Sequence, residues 1–279
     1  MPTVALLDIG HTRVKMATAS TLDPFDVERV HEWDTHGANW DSIAAWTQQH
    51  VIADELRCCC VVHSWLDGTT EQALEELFGM PVRVMSVGEA TEYDPQQLGV
   101  DRYLLAHGAA GYYPESAVVI SAGTTITVDV VGVVEGEDEA GEVVTGDEGD
   151  AIGEATGSSD VRVSHLGGWI LPGARVVEQG YKGITPHFPS ITLPGSHAGI
   201  SIPSNTTDAT QEGLALMITS IISRIIDEFE IEVVFFTGGD GALLRDLWEA
   251  QVDAPYDLHV ELVPDLLFYG MMGAIGSRK

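Results

Sequence analysis

The chain has 279 residues, 44% of them apolar, enough for two domains that each bury a core. Its 43 acidic residues face 13 basic ones, and the net charge of -30 excludes nucleic acid and anionic membranes as partners; with only three lysines, it points to adaptation to high salt. No apolar run is long enough to cross a bilayer, and no basic stretch leads into an apolar run with a cleavage site, so a cytoplasmic globular protein is expected.

Residues 4–15 read VALLDIGHTRVK. Two apolar runs split by a tight turn at Gly10 predict a β-hairpin, and a glycine there lets N–H and hydroxyl groups close on a phosphate. A strand is expected over 26–31. Trp40, Ile43, Ala44, Trp46, Val51 and Ile52 fall at helical spacing and predict a helix over 40–56. All three cysteines are adjacent, Cys58 to Cys60. Consecutive strand residues point to opposite faces, so these thiols suit neither a metal cage nor a disulfide framework; 58–62 reads as a buried strand in a reducing compartment. A helix over 71–78, a strand over 81–85 and a helix over 104–112, entered through Asp101 as N-cap, complete a first domain over 1–115.

At 117 the pattern restarts with AVVISAGTTITVD. It predicts a second hairpin of the same kind, and so a duplicated α/β fold that clamps a nucleotide between its halves. The second domain is placed over 116–279. The stretch 135–160, rich in acid, Gly and Ser, is read as an exposed insertion, with a short strand at Val143 and Val144. A strand ending at Gly167 and Gly168 leads to Pro172, read as a helix start. Leu214, Met217, Ile218, Ile221, Ile222, Ile225 and Ile226 give a long periodic helix over 207–229, with Thr206 or Thr207 as its N-cap. A buried strand over 233–236 ends in a TGGD turn with Asp240 capping the next helix, and 264–274 reads as a final packed helix.

Seven segments occur in order across nearly the whole chain: DIGHTRVK, LGVDR, AGTTITVD, LGGWILPG, NTTDATQEG, TGGD and PDLLFYGMMGA. The ordered set resembles the type III pantothenate kinases. The resemblance implies α/β architecture with duplicated ribonuclease-H-like domains, as in the actin, Hsp70 and sugar-kinase superfamily, and a nucleotide cleft between them. It implies transfer of the ATP γ-phosphoryl group to pantothenate, the first step of coenzyme A synthesis. It further implies a homodimer, Mg²⁺, and a monovalent cation, K⁺ or NH₄⁺.

By the same resemblance, Asp8, Ile9, Gly10, His11, Thr12, Arg13, Val14 and Lys15 form the first ATP-binding hairpin, with Asp8 holding Mg²⁺. His11 stands where the family usually has Asn. Thr124 contacts the nucleotide from the second hairpin, and Gly238 and Gly239 lie near its adenosine end. Asp101 is the general base, which phosphoryl transfer to an alcohol needs to accept the hydroxyl proton. Gly99, Val100, Asp101 and Arg102 bind pantothenate, Arg102 by attracting its carboxylate. Tyr93 joins them, one residue closer to Gly99 than the family spacing, as does Thr206, which the family supplies from the neighbouring subunit. Ser121 occupies the monovalent-cation position, where most members have an acidic residue; a hydroxyl is a poorer cation ligand than a carboxylate. Two alternatives stay open. One is a non-catalytic regulator of the Bvg accessory factor type, to which His11 and Ser121 point. The other is another small-molecule kinase of the superfamily, a sugar or acetate kinase, against which LGVDR stands.

Overall fold

A computed structural model of the chain describes residues 2–113, 115–135, 161–195, 202–251 and 258–273. The first part contains β1 (Thr3–Ile9), β2 (Arg13–Ser20), β3 (Val27–Asp34), α1 (Trp40–His50), β4 (Glu55–Cys60), α2 (His63–Leu66), α3 (Glu71–Phe78), β5 (Val82–Val84) and α4 (Val100–Tyr112). The second contains β6 (Ala117–Ala122), β7 (Thr125–Glu135), β8 (Val161–Pro172), α5 (Ala174–Ile184), α6 (Thr206–Glu228), β9 (Val233–Thr237), α7 (Gly241–Gln251), β10 (His259–Leu262) and α8 (Leu266–Gly273).

The strands form two five-stranded sheets, ordered β3-β2-β1-β4-β5 and β10-β9-β6-β7-β8. Each starts as an antiparallel meander and then adds two parallel strands beyond its first strand. The same plan built twice is the duplication expected from the repeated hairpin.

Each sheet is covered on both faces, which explains its near-continuous apolar strands. On the outer face of the first sheet Leu7, Ile9, Val14, Cys58 and Cys60 pack against Ile43 of α1 and against Leu74 and Phe78 of α3. On the outer face of the second, Ile120, Val128 and Phe236 meet Ile218 and Ile222 of α6 and Leu244 and Trp248 of α7. The inner faces share α4 and α8. Leu6, Ala17 and Cys59 pack on Leu104, Phe268 and Met271; Val119, Val131 and Phe235 pack on Leu105, Ala109 and Leu266. Each such fully buried Leu or Phe stabilises the fold by about 1.5–3 kcal/mol. Arg57 adds a polar tie, donating from Nη1 to the carbonyl of Met271 at 3.0 Å near the C-terminus of α8. The result holds α4 between the two sheets and fixes where its N-terminus points.

Several boundaries differ from the sequence expectation. The helix expected over 40–56 stops at His50, because Glu55 and Leu56 pair in parallel with Val4 and Ala5. Gly167 and Gly168 lie inside β8, paired to β7, and Pro172 ends that strand instead of starting a helix. Gly99 occupies the N-cap position of α4, so Asp101 lies in the first turn and is not the cap. Asn205, not Thr206 or Thr207, caps α6: its side chain accepts from the N–H of Asp208 at 3.0 Å. Such a cap is worth about 1 kcal/mol. Short α2 and β10 carry too little periodicity to be predicted. Residues 136–160, with the strand expected at Val143 and Val144, lie outside the described residues. Among the described residues no helix is long and apolar enough to cross a membrane.

Candidate active site

The two repeated hairpins meet. Thr12, at the tip of β1–β2, and Thr124, at the tip of β6–β7, lie within hydrogen-bond distance, Oγ1 to Oγ1 2.8 Å. Residues 112 positions apart thus face each other across the gap between the sheets. Gly10 closes the first turn by donating its N–H to Arg13, and Gly123 closes the second by donating to Thr125, each at 3.0 Å. A side chain at Gly123 would enter open space, which leaves that backbone accessible to a ligand. The TGGD turn supports the second hairpin from behind: the N–H of Asp240 reaches the carbonyl of Ala122 at 3.0 Å. Gly238 has φ +87°, and a Cβ there would stand 2.3 Å from the same carbonyl, so this turn requires glycine.

Within the first hairpin the assigned residues divide by role. Ile9 and Val14 bury their side chains in the outer core, leaving only backbone for a ligand. Arg13 turns away to Glu32, 2.9 Å from Nη1 to Oε1. His11 is exposed. Asp8 and Lys15 are cross-strand partners, with Nζ 3.7 Å from Oδ2. Asp8 is buried, and burial pushes its carboxyl up from 3.8 to about 6 against the pull of Lys15; the charge of Asp101 adds to the rise. Asp8 and Asp101 therefore share one electrostatic environment.

Asp101 sits in the first turn of α4, over a helix N-terminus with no side-chain cap. Its Oδ1 accepts the N–H of Arg102 at 2.9 Å. The carboxylate curls back over Gly99, where a Cβ would stand 2.5 Å from Oδ1, so glycine makes the room. Burial raises the Asp101 carboxyl above the ordinary carboxylate range, and the neighbouring Asp129 adds to the effect.

Arg102 is buried and held by Asp129. Its Nη2 donates to Oδ1 at 2.6 Å and its Nε at 3.0 Å. Burial alone would lower the guanidinium, but Asp129 outweighs it. His165 Nε2 meets the same Oδ1 at 2.8 Å, and Thr91 Oγ1 lies 3.1 Å from Nδ1 of His165 and accepts the N–H of Tyr93 at 3.0 Å. The Tyr93 ring lies 5.1 Å from the Arg102 guanidinium carbon. The structure thus brings Tyr93, Gly99, Val100, Asp101 and Arg102 together. It adds Asp129, His165 and Thr91, which carried no assignment. Their signal was a lone charge in an apolar strand: Asp129 between Val128 and Val130, fully buried, demands partners.

Thr206 stands elsewhere in the chain. It lines a groove of about 630 Å³ between α5 and α6, with Tyr181, Phe188, Leu214 and Met217. Ser121 has two neutral neighbours on its own face of the sheet, Thr127 across from it in β7 and Thr237 in β9. Thr127 is 8% exposed, and its Oγ1 has no hydrogen-bond partner among the described residues.

The family model for type III pantothenate kinases matches residues 5–146. That span holds both hairpins, Asp101 and Arg102. The chain belongs to this family. It is 23% identical over 293 residues to the type III pantothenate kinase of Dichelobacter nodosus, covering 98% of each chain. It is 30% identical over 196 residues to that of Helicobacter hepaticus, covering 70% of this chain and 72% of the relative. Among solved structures, a putative N-acetylmannosamine kinase from Listeria monocytogenes aligns over 97% of each chain with a TM-score of 0.50 and 14% identity. That likeness shows the fold: the duplicated actin-like α/β architecture of this kinase family and its sugar-kinase neighbours.

Proposed function

We propose that the chain phosphorylates pantothenate with ATP, giving 4'-phosphopantothenate, the entry to coenzyme A synthesis, and does so in the cytoplasm. The observation that carries this reading is the convergence of the two hairpin tips with Asp8 and the N-terminus of α4. The hairpins supply two sets of backbone N–H and hydroxyl groups for the phosphates, and Gly238 and Gly239 flank the second set at the adenosine end. Lys15 brings the nearest cationic side chain of the first hairpin.

Asp101 accepts the proton of the pantothenate hydroxyl as its oxygen attacks the γ-phosphorus; the bond to the β–γ bridging oxygen breaks and ADP leaves. A carboxylate with a raised proton affinity is a better base for that step. Asp129, itself bonded to His165, fixes the buried Arg102 beside Tyr93, at the pantothenate subsite proposed here. A buried ion pair of this geometry orients more than it stabilises.

The divalent metal that accompanies ATP fits Asp8. Asp8 supplies one buried carboxylate, which suits a metal held by that group, water and the phosphates. When bound it neutralises phosphate charge. The K⁺ or NH₄⁺ expected at Ser121 would meet neutral hydroxyls at its ladder partners Thr127 and Thr237, which are poor cation ligands.

We further place the working unit as a homodimer in which Thr206 serves the partner's site. Trp169, Ile170, Tyr181, Ile184 and Met217 are exposed apolar positions on β8, α5 and α6, and Tyr181 and Met217 line the Thr206 groove. Mixing Asp101→Asn with Thr206→Ala subunits should restore activity that neither homodimer has; no recovery rules out a shared site.

The kinase reading is tested by coupled ADP release. Pantothenate should raise the rate far above the rate with Mg-ATP alone. ADP release indifferent to pantothenate would overturn it. Retention of Asp8, Asp101, Arg102 and Thr124 in one site argues against a non-catalytic regulator.

A further inference from the structure

We propose that the hydroxyl of Thr127 is a direct contact to the phosphoryl group in flight, on the side of the site opposite Asp8. The inference rests on the pantothenate kinase reading. Thr127 shares its face of the second sheet with Asp129, two residues along β7, and with Ser121, its partner in β6. That face packs on α4: Arg102 grips Asp129, and beyond it Leu105 and Ala109 pack with Val119 and Val131. Passing along β7 from Val131 through Asp129 to Thr127 therefore runs toward the N-terminus of α4. Going on from Thr127 leads to the tip at Thr124, which meets Thr12. Thr127 thus lies between the nucleotide tips and the acceptor subsite at Asp101 and Arg102, on the stretch the phosphoryl group must cross.

Two independent features mark this place as built for an anion. The first is the N-terminus of α4, a helix of 13 residues whose N-cap Gly99 supplies no side-chain bond, the N–H of Arg102 there being accepted by Asp101 Oδ1 at 2.9 Å. The second is Thr127 itself. Its Oγ1 is shut off from solvent and has no partner among the described residues, although a buried hydroxyl normally finds one. An unsatisfied buried hydroxyl is costly, and a phosphoryl oxygen reaching it would complete it. Its ladder partners are Ser121 in β6, a neutral hydroxyl that can donate to phosphoryl oxygens, and Ile170 in β8; Thr237 stands one strand further on, beside Ser121. The nearby positive charge of Arg102 is committed to Asp129.

The test is Thr127→Val, which keeps the shape and removes the hydroxyl, with Thr127→Ser as the rescue. Losing a donor aimed at charge that develops in the transition state costs on the order of 10²-fold in kcat. The expected result for the Val variant is such a fall in kcat, KM for ATP and pantothenate within about threefold of wild type, and a thermal midpoint equal to or above wild type. Thr127→Ser should raise kcat about tenfold over Val. A Val variant with wild-type kcat would make the hydroxyl purely structural and overturn the proposal. A rise in KM for pantothenate at unchanged kcat would move it to the acceptor and also overturn it. So would a defect that appears only as an altered response to KCl at constant ionic strength, which would assign the hydroxyl to a cation. Wild-type protein that releases ADP without regard to pantothenate would instead bring down the kinase reading, and this inference with it.

Discussion

The two hairpins are built alike and charged differently. In the first, Asp8 in β1 faces Lys15 in β2; at the corresponding place in the second, Ser121 in β6 faces Thr127 in β7. Both turns are closed by a glycine N–H at 3.0 Å, and their tips touch through Thr12 and Thr124. The duplication kept the glycine-closed backbone turn, while the side chains diverged. One hairpin carries a buried carboxylate that suits a metal, and the other carries neutral hydroxyls. A clamp with one ionised jaw can bind a metal–nucleotide complex without facing its phosphates with two carboxylates.

The largest effect should come from the residue that both jaws serve. Asp101→Asn should lower kcat by about 10²–10⁴-fold with little change in pantothenate binding. Turnover near wild type would remove Asp101 from the chemistry and leave the clamp without an acceptor base.

Asp8→Asn should abolish most activity and also change how stability depends on pH. The folded carboxyl is raised from 3.8 to about 6, so the fold favours the protonated form. The stabilisation from protonating Asp8 is fully present below the ordinary carboxylate range and is lost as pH rises through about 6. The contribution is roughly 2–3 kcal/mol at most. With Asp8 as the proposed metal ligand, activity should run the opposite way, since a metal binds the ionised carboxylate. Thermal unfolding from about pH 4.5 to 7.5 should show a fall in wild type that is smaller in Asp8→Asn. Equal slopes would mean Asp8 is not buried against its charge. No such difference is expected for Ser121→Ala in the neutral jaw.

Giving the second hairpin the missing charge sharpens the contrast. Ser121→Asp should strengthen the dependence of activity on KCl at constant ionic strength. An unchanged response would show that Ser121 does not border a cation site.

The mildest expected effect is general. With a net charge of -30, carboxylates repel across about 30 Å at 0.01 M salt but only about 3 Å at 1 M. The thermal midpoint should therefore rise with KCl toward molar concentration. A flat or falling midpoint would make the acidity incidental.

Much of this was legible in the sequence. The glycine turns and flanking apolar runs gave both hairpins, because a hairpin is a local structure. The helix over 71–78 was legible too, bounded by a Thr70 cap and a left-handed Gly79. What failed was decided at a distance. Nothing local separates Leu56 from the preceding helix; its pairing with Ala5, 51 residues earlier, does. In the site, Asp101 and Arg102 were found through their motif, but their partners were not. Asp129 and His165 are brought to Arg102 by the packing of β7 and β8 on α4, a tertiary fact that spacing along the chain does not carry. The single charge inside an apolar strand was the available warning.

The clamp is tested most directly by its product. Wild type, Asp8→Asn and Asp101→Asn should each be incubated with Mg-ATP and pantothenate, and phosphopantothenate followed by mass spectrometry. Wild type should form it in step with ADP, while both variants retain the fold by circular dichroism and form little. Phosphopantothenate made equally well by either variant, or none made by wild type while ADP accumulates, would contradict transfer between the two hairpins and Asp101.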